Sequence, residues 1–342
     1  MQSVDESVGA NRDGVSVAMC TYNGEPYLPR QLASIAEQSL LPSELVVCDD
    51  GSTDSTIDLL QHFASVAPFP VRVFQNSVNL GSTGNFEQAI RLCQHEFIAL
   101  CDQDDIWRPN KLEVQVALLE AQPRVGGVFT NGELLTPVGK QEGRTLWQSF
   151  WFDDREQKLF RSGHALELLL RGNLATGMTM MFRSSLRDRL LPIPRTWIHD
   201  YWLAFMLCIH STLEALPDRL VSYRLHSSQS IGAPESFKNK AHRIRTYGFG
   251  AYFQKAKLKS QVDYGRSAYA LKDLERYLEQ LHRPELADFQ TAVNAKAEFC
   301  RLLAVALDTQ RSPRFAAVLT LVRQYRKYTN LPLRGMLRDL LV

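Results

Sequence analysis

The chain has no Cys-x-x-Cys pair, no Gly-x-Gly-x-x-Gly after its first strand-like run, no internal repeat and no low-complexity tract. Its apolar runs, such as Tyr201–Ile209 and Phe315–Val322, fall far short of the ~20 residues that carry a helix across a bilayer. Each absence removes a class. Without the glycine fingerprint, dinucleotide binding at the first strand–helix turn is not expected; without a long apolar run, neither is a membrane-spanning helix. Six cysteines at 20, 48, 93, 101, 208 and 300 are scattered, several in apolar strand-like runs, the pattern of reduced buried thiols. Met1–Gly14 carries Asp5, Glu6 and Asp13 and no hydrophobic segment. Residues 1–13 therefore read as a flexible N-terminus rather than a signal peptide, and the expected location is the cytoplasm.

A net charge of +2 hides an asymmetry: residues 1–237 hold 19 Lys/Arg against 28 Asp/Glu, and residues 238–342 hold 20 against 9. A basic tail is drawn to anionic surfaces, so peripheral contact with the inner face of the plasma membrane is one expected use and homo-oligomer formation is its rival. No aromatic–basic motif accompanies the charge, and nucleic acid is not an expected partner.

Val15–Cys20 is a β-branched and apolar run ending in Thr-Tyr-Asn-Gly, and the spacing predicts a helix over Pro29–Gln38 with Leu32 and Ile35 inward. The unit recurs as strand Glu44–Cys48, turn Asp49–Asp54 and helix Ser55–Ala67. It recurs again as strand Val71–Gln75, loop Asn79–Asn85 and helix Phe86–Cys93, before strand Phe97–Cys101 ends at Asp102. This alternation predicts a mostly parallel sheet covered by helices. Ligands bind such sheets beyond the carboxyl ends of the strands, where the polar clusters at 21–24, 49–54, 79–85 and 102–105 are expected to converge. Farther on, Lys111–Gln122 reads as a helix, Val125–Thr130 as a strand and Leu134–Arg155 as an irregular segment over the site. Ala165–Leu170 reads as a helix, Met178–Phe182 as a strand and Tyr201–His210 as an apolar helix opened by His199-Asp200. The catalytic unit is expected to end near Gly232–Pro234, leaving 235–342 as a basic helical region.

Four constellations carry chemistry. Asp49 and Asp50 end a buried strand, where a carboxylate accepts from a base N–H or ribose hydroxyls and Gly51 admits a ligand to the backbone. A plain turn in which Ser52, Thr53 or Asp54 caps the next helix is the competing reading. Asp102, Asp104 and Asp105 set three acids in four residues ahead of Ile106-Trp107. Their mutual repulsion is relieved by a hard divalent cation such as Mg2+ or Mn2+, unless they form an acidic turn before a helix opened by Pro109. Asp200 reads as a general base for an attacking hydroxyl, or as a helix N-cap. In the polar stretch Tyr223-Arg224-Leu225-His226, His226 reads as a metal or phosphate ligand, or as a surface histidine.

Together, Thr21-Tyr22-Asn23-Gly24, Asp49-Asp50-Gly51-Ser52, Asn79-Leu80-Gly81, Asp102-Gln103-Asp104-Asp105 and His199-Asp200 resemble family-two glycosyltransferases, rhamnosyltransferase-like members above all, over roughly residues 14–232. The resemblance implies an α/β GT-A fold, a mostly parallel mixed sheet flanked by helices, with a C-terminal helical extension. In it, 14–132 would form the nucleotide-sugar half and 133–234 the acceptor half. It implies that Thr21, Tyr22, Asn23, Asp49, Asp50, Gly81, Asn85 and Asp102 serve the nucleotide, and that Asp102, Asp104 and His226 hold Mn2+ or Mg2+. Asp105, Trp107 and Arg224 would stand beside them. Asp200 matches the base, and His199 stands where many members have an acid. The reaction implied is an inverting transfer from dTDP-rhamnose or a UDP-sugar to a hydroxyl of a cell-surface glycan such as O-antigen, or of a lipid-linked saccharide. A Mg2+-dependent phosphatase with an aspartate nucleophile is the alternative. It lacks a partner lysine motif downstream of Asp102 and leaves Thr21–Gly24 unexplained.

Overall fold

The computed structural model describes residues 13–136, 139–226 and 249–308. The N-terminal arm, the boundary near Gly232–Pro234 and the far basic tail lie outside the described residues. Two compact units form: Met1–Asp153 with Leu174–Ile193 and Ile198–Ile231, and Asp154–Asn173 with Pro194–Trp197 and Gly232–Val342.

The first unit is built on one sheet. Strands β1 (Val15–Thr21), β2 (Glu44–Asp49), β3 (Val71–Gln75) and β4 (Phe97–Cys101) alternate with helices α1 (Leu28–Ala36), α2 (Thr56–Val66) and α3 (Gly81–Leu92). After the short β5 (Ile106–Trp107) come α4 (Lys111–Ala121), β6 (Val125–Leu135), β7 (Gln141–Thr145), α5 (Leu146–Ser149), β8 (Met180–Arg183), α6 (His199–His210) and β9 (Thr212–Arg224). The order across the sheet is β3-β2-β1-β4-β8-β6-β9-β5, with β7 on β6. The β3-β2-β1-β4 block is parallel, whereas β8 runs antiparallel to both β4 and β6 and restores a parallel pairing between β6 and β9. The mixed character therefore enters at β8. Strands β2 and β4 are buried at every position, as continuous apolar runs covered on both faces should be. Each fully buried Val, Leu or Phe among them contributes about 1.5–3 kcal/mol.

Several local expectations are corrected. Helix α3 starts at Gly81, not Phe86, because a carboxylate distant in sequence caps it: Asp50 accepts from the Leu80 and Gly81 N–H groups at 2.7 and 2.9 Å. The segment from Leu134 is not irregular: β6 continues to Leu135, β7 pairs with it, and α5 follows on a capping box between Thr145 and Gln148. The strand read over Met178–Phe182 opens instead with a 3-10 turn at Gly177–Thr179. Strand β9 escapes the sequence reading because Pro217 and Asp218 interrupt it. The register jumps there, from Leu216 opposite Thr130 to Arg219 opposite Asn131, so the two residues sit in a bulge.

The second unit is helical over its described residues. Long helices Phe249–Leu281 and Ala287–Asp308 bury Leu271, Leu274, Leu278, Val293 and Phe299. Trp197 Nε1 donates to the Ala270 carbonyl at 2.8 Å, and Thr196 Oγ1 donates to Asp273. Among the described residues no helix is long and apolar enough to cross a membrane.

Candidate active site

Strand order reverses at β1: β2 lies on one side and β4 on the other. At such a switch point the loops leaving the carboxyl ends diverge and open a crevice. Here the loops after β1 and β4 are tied across it. Gln103 accepts from the Tyr22 N–H at 2.9 Å and donates back to the Tyr22 carbonyl at 3.1 Å. Gly24 permits the approach, since a Cβ there would stand 2.3 Å from Gln103 Oε1. Gln103 does not figure among the sequence-read site residues, although it separates the two acids of that motif. The same β1 loop zips to the β2 loop: Asn23 N–H donates to Ser52 Oγ, Gly24 N–H to Thr56 Oγ1, and Thr53 N–H to Asn23 Oδ1, each at 2.8 Å. Tyr22 is left half exposed above this lattice.

The two β2-end acids have different partners. Asp49 is fully buried and accepts from Thr21 Oγ1, from the Gly51 and Ser52 N–H groups and from Ser52 Oγ, so its carboxylate closes the turn itself. Asp50 accepts from Asn76 Nδ2 at 2.9 Å as well as from the start of α3. Asn85 is buried with its Nδ2 on the Cys48 carbonyl and its Oδ1 on Asn76, so it reaches the site through Asn76 and Asp50.

The β4-end acids form a close anionic cluster in which Asp105 is buried and Asp102 and Asp104 are half-buried. Desolvation first, then the carboxylates of Asp104 and Asp200, push the Asp102 pKa well up. Asp105 is fully buried, accepts from the Arg224 N–H at 3.0 Å and, among the described residues, leaves Oδ2 without a partner. Burial and then Asp104 and Asp102 raise its pKa too. The Tyr223 phenol is pushed up by burial and then by the charges of Asp105, Asp102, Asp104 and Asp200. Tyr223 was not singled out from sequence; its lead was the neighbouring Arg224 and His226.

His226 Nε2 meets Asp104 Oδ2 at 2.8 Å. Tyr27, also absent from the sequence reading, stacks on the His226 ring at 4.4 Å between centroids and underlies the Arg224 guanidinium at 5.5 Å. Arg224 Nε donates to the Asp104 carbonyl at 3.0 Å. Trp107 is buried beneath the loop, with the Lys111 ammonium 3.9 Å from its ring centre.

Asp200 is the second residue of α6, whose N-cap, Ile198, makes no side-chain cap bond. Asp200 Oδ2 instead accepts from the Gly177 N–H at 2.8 Å, so it is oriented by a turn 23 residues earlier. His199 is buried, stacks on Phe86 at 3.8 Å and has, among the described residues, no hydrogen-bond partner for either ring nitrogen. Burial lowers its pKa to about 3, so the ring is neutral.

A hard carboxylate oxygen and an imidazole nitrogen at one point, next to acids that burial disfavours as anions, are a donor set suited to a divalent cation. Among the described residues no three His, Cys, Asp or Glu side chains are arranged to hold one by themselves. Two protein donors plus ligand oxygens match the way Mg2+ is held with phosphates.

Residues 16–190 match the family described as Glycosyl transferase family 2. The dTDP-rhamnosyl transferase RfbG of Shigella flexneri is 34% identical over 251 residues, 66% of this chain and 78% of that protein. S. aureus TarS 1-349 shares the fold with a TM-score of 0.55 at 18% identity, covering 92% of this chain and 91% of that one. The mannosyltransferase PcManGT from Pyrobaculum calidifontis, in complex with GDP-Man and Mn2+, does so with a TM-score of 0.53 at 20% identity, covering 93% and 84%. The family match and the RfbG likeness favour glycosyl transfer over the phosphatase reading. With motif, fold and relatives in agreement, the chain belongs to glycosyl transferase family 2 and is a glycosyltransferase of GT-A fold.

Proposed function

We propose that the chain is an inverting, metal-dependent glycosyltransferase that moves a hexose from a nucleoside-diphosphate donor to a hydroxyl of a glycan or lipid-linked saccharide. The observation that carries the reading is the Asp104–His226 contact beyond the β4 end of the sheet, with the charges of Asp104 and Asp200 both acting on Asp102. Asp104 and His226 would hold the cation, with Asp102 beside them. Mn2+ or Mg2+ bound there supplies charge neutralisation for the departing diphosphate. Asp200, oriented by Gly177, takes the proton of the acceptor hydroxyl as its oxygen forms the new bond to the anomeric carbon and the bond to the diphosphate oxygen breaks. Tyr22, Asn23 and Asp50, with Gly81 opposite, would receive the nucleoside, with Thr21, Asp49 and Asn85 fixing their loops.

RfbG, named for dTDP-rhamnose chemistry, supports that donor as the first to test. A thermal-shift series with dTDP-rhamnose, UDP-glucose and GDP-mannose, with and without Mn2+, tests donor and metal together. Stabilisation by a nucleotide sugar that depends on Mn2+ is expected. An equal response to inorganic phosphate and Mn2+ would count against the reading.

The basic C-terminal region, with 20 Lys/Arg against 9 Asp/Glu over 238–342, would dock on an anionic membrane bearing the acceptor. Each basic residue near such a surface contributes about 1 kcal/mol. Co-sedimentation with anionic but not neutral vesicles is expected; equal recovery with both rejects docking, and sedimentation without vesicles reveals self-association.

A further inference from the structure

Lys111 is fully buried on α4. Its ammonium meets the Trp107 ring and Gln115 Oε1, the latter at 2.9 Å, and among the described residues it forms no ion pair with a carboxylate. Desolvation lowers its pKa to about 7. A charged group buried without a counter-ion weakens a fold, and an apolar side chain of the same length would fill the space without that penalty. Stability therefore does not account for the lysine, and departures from local consistency of this kind concentrate where function requires them.

The hydrogen bonds lead from the lysine to the base. By donating to Gln115 Oε1, Lys111 fixes which end of the buried amide faces the sheet. Gln115 Nε2 then donates to the Thr179 carbonyl at 2.9 Å. Thr179 closes the 3-10 turn that begins at Gly177, pinned by its own Oγ1 on the Thr176 carbonyl at 2.6 Å. Gly177 donates to Asp200 Oδ2. At the other end, Trp107 follows the acidic loop by two residues and its backbone N–H donates to Ser34 Oγ at 3.1 Å.

We infer that Lys111 and Gln115 form a buried positioning strut that sets the Gly177–Asp200 hydrogen bond in register with the acidic loop. This rests on the reading of Asp200 as the base. Side chains that fix the geometry of a reacting group change turnover more than donor affinity, and misplacement by an ångström lowers rates by up to ~100-fold.

The test is Lys111→Met and Gln115→Leu in the full chain, beside Asp200→Asn. Nucleoside diphosphate release is followed with Mn2+ and the better donor of dTDP-rhamnose and UDP-glucose. Lys111→Met is expected to lower kcat roughly 10–100-fold with donor KM nearly unchanged, to melt only slightly below the parent because Gln115 Oε1 loses its donor, and to speed amide exchange at Gly177 about tenfold. Gln115→Leu should follow it in kcat and exchange. Parental kcat or unchanged Gly177 exchange in Lys111→Met overturns the strut, and so does a fall in melting temperature that tracks the lost activity. If Asp200→Asn is inactive while Lys111→Met is not, the strut fails alone. If Asp200→Asn turns over normally, the base assignment fails, and Gly177 exchange still decides the strut.

Discussion

His226 and Asp104 lie 122 residues apart in the chain and meet side chain to side chain at 2.8 Å, with Tyr27 stacked against the histidine ring. Three separate segments, the loop after β1, the loop after β4 and the end of β9, are thereby joined at one point. Arg224 doubles the join through Asp104 and Asp105.

If that point holds the cation, Asp104→Asn should lower Mn2+-dependent turnover by at least about 100-fold. His226→Ala should raise the Mn2+ concentration needed for half-saturation. Titration by electron paramagnetic resonance reads the second effect without turnover. Unaltered Mn2+ binding in both variants would remove the pair from the metal site.

Tyr27→Ala removes the platform under His226 and should weaken Mn2+ binding by about fivefold, the equivalent of about 1 kcal/mol of ring stacking. Tyr27→Phe retains the ring and should bind Mn2+ like the parent. A Phe variant as weak as the Ala variant would assign the effect to the hydroxyl instead.

Asp200→Asn keeps the shape that accepts the Gly177 N–H but cannot take a proton. Turnover should fall roughly 10²–10⁴-fold while nucleotide-sugar affinity, measured by calorimetry, stays near parental. Near-parental transfer would exclude Asp200 from the role.

His199 gives a pH signature. Its folded pKa of about 3 lies below its unfolded value of 6.5, so the unfolded chain binds the extra proton between those values. The stability due to the neutral ring is complete above pH 6.5 and declines as pH falls toward 3, by about 1.4 kcal/mol per unit. His199→Leu should therefore lose less stability than the parent between pH 6.5 and 5 in urea titrations. Parallel losses would show that the histidine is protonated in the fold. Comparing the two chains separates this effect from Asp102 and Asp105, whose raised pKa values act in the opposite direction.

Gly24→Ala would set a methyl 2.3 Å from Gln103 Oε1, forcing the amide off the Tyr22 backbone. Losing two hydrogen bonds of about 1 kcal/mol each should lower stability by about 2 kcal/mol and reduce nucleotide affinity. Unchanged urea denaturation and nucleotide binding would show that the bridge is dispensable.

Much of the site was legible because Asp50, Asp102, Asp104 and Asp105 follow strands, whereas Asp200 opens a helix. The apolar runs at 15–20, 44–48 and 97–101 mark β1, β2 and β4, and a parallel sheet brings their carboxyl ends to one edge. The remainder was hidden for identifiable reasons. The start of α3 depends on Asp50, 31 residues from Gly81, and its one local cue is Asn79, whose Oδ1 also accepts from the Gly81 N–H at 3.2 Å. The capping box at Thr145 and Gln148 was in plain view but lay within a run read as irregular. Pro217 and Asp218 broke the pattern of β9, although the bulge accommodates both.

By itself, then, the sequence determined the alternation of strands and helices through β4 and the placing of acids after β2 and β4, since these follow from periodicity and near-neighbour chemistry. Tertiary structure alone decided how those acids divide. Asp49 closes its own turn and Asp50 caps α3, whereas Asp104 pairs with His226 and its charge, with that of Asp200, acts on Asp102 and Tyr223. That division depends on β8 entering antiparallel between β4 and β6 and bringing β9 back across the sheet. Pairing between strands this distant in the chain is set by packing of the whole sheet, which local spacing does not encode.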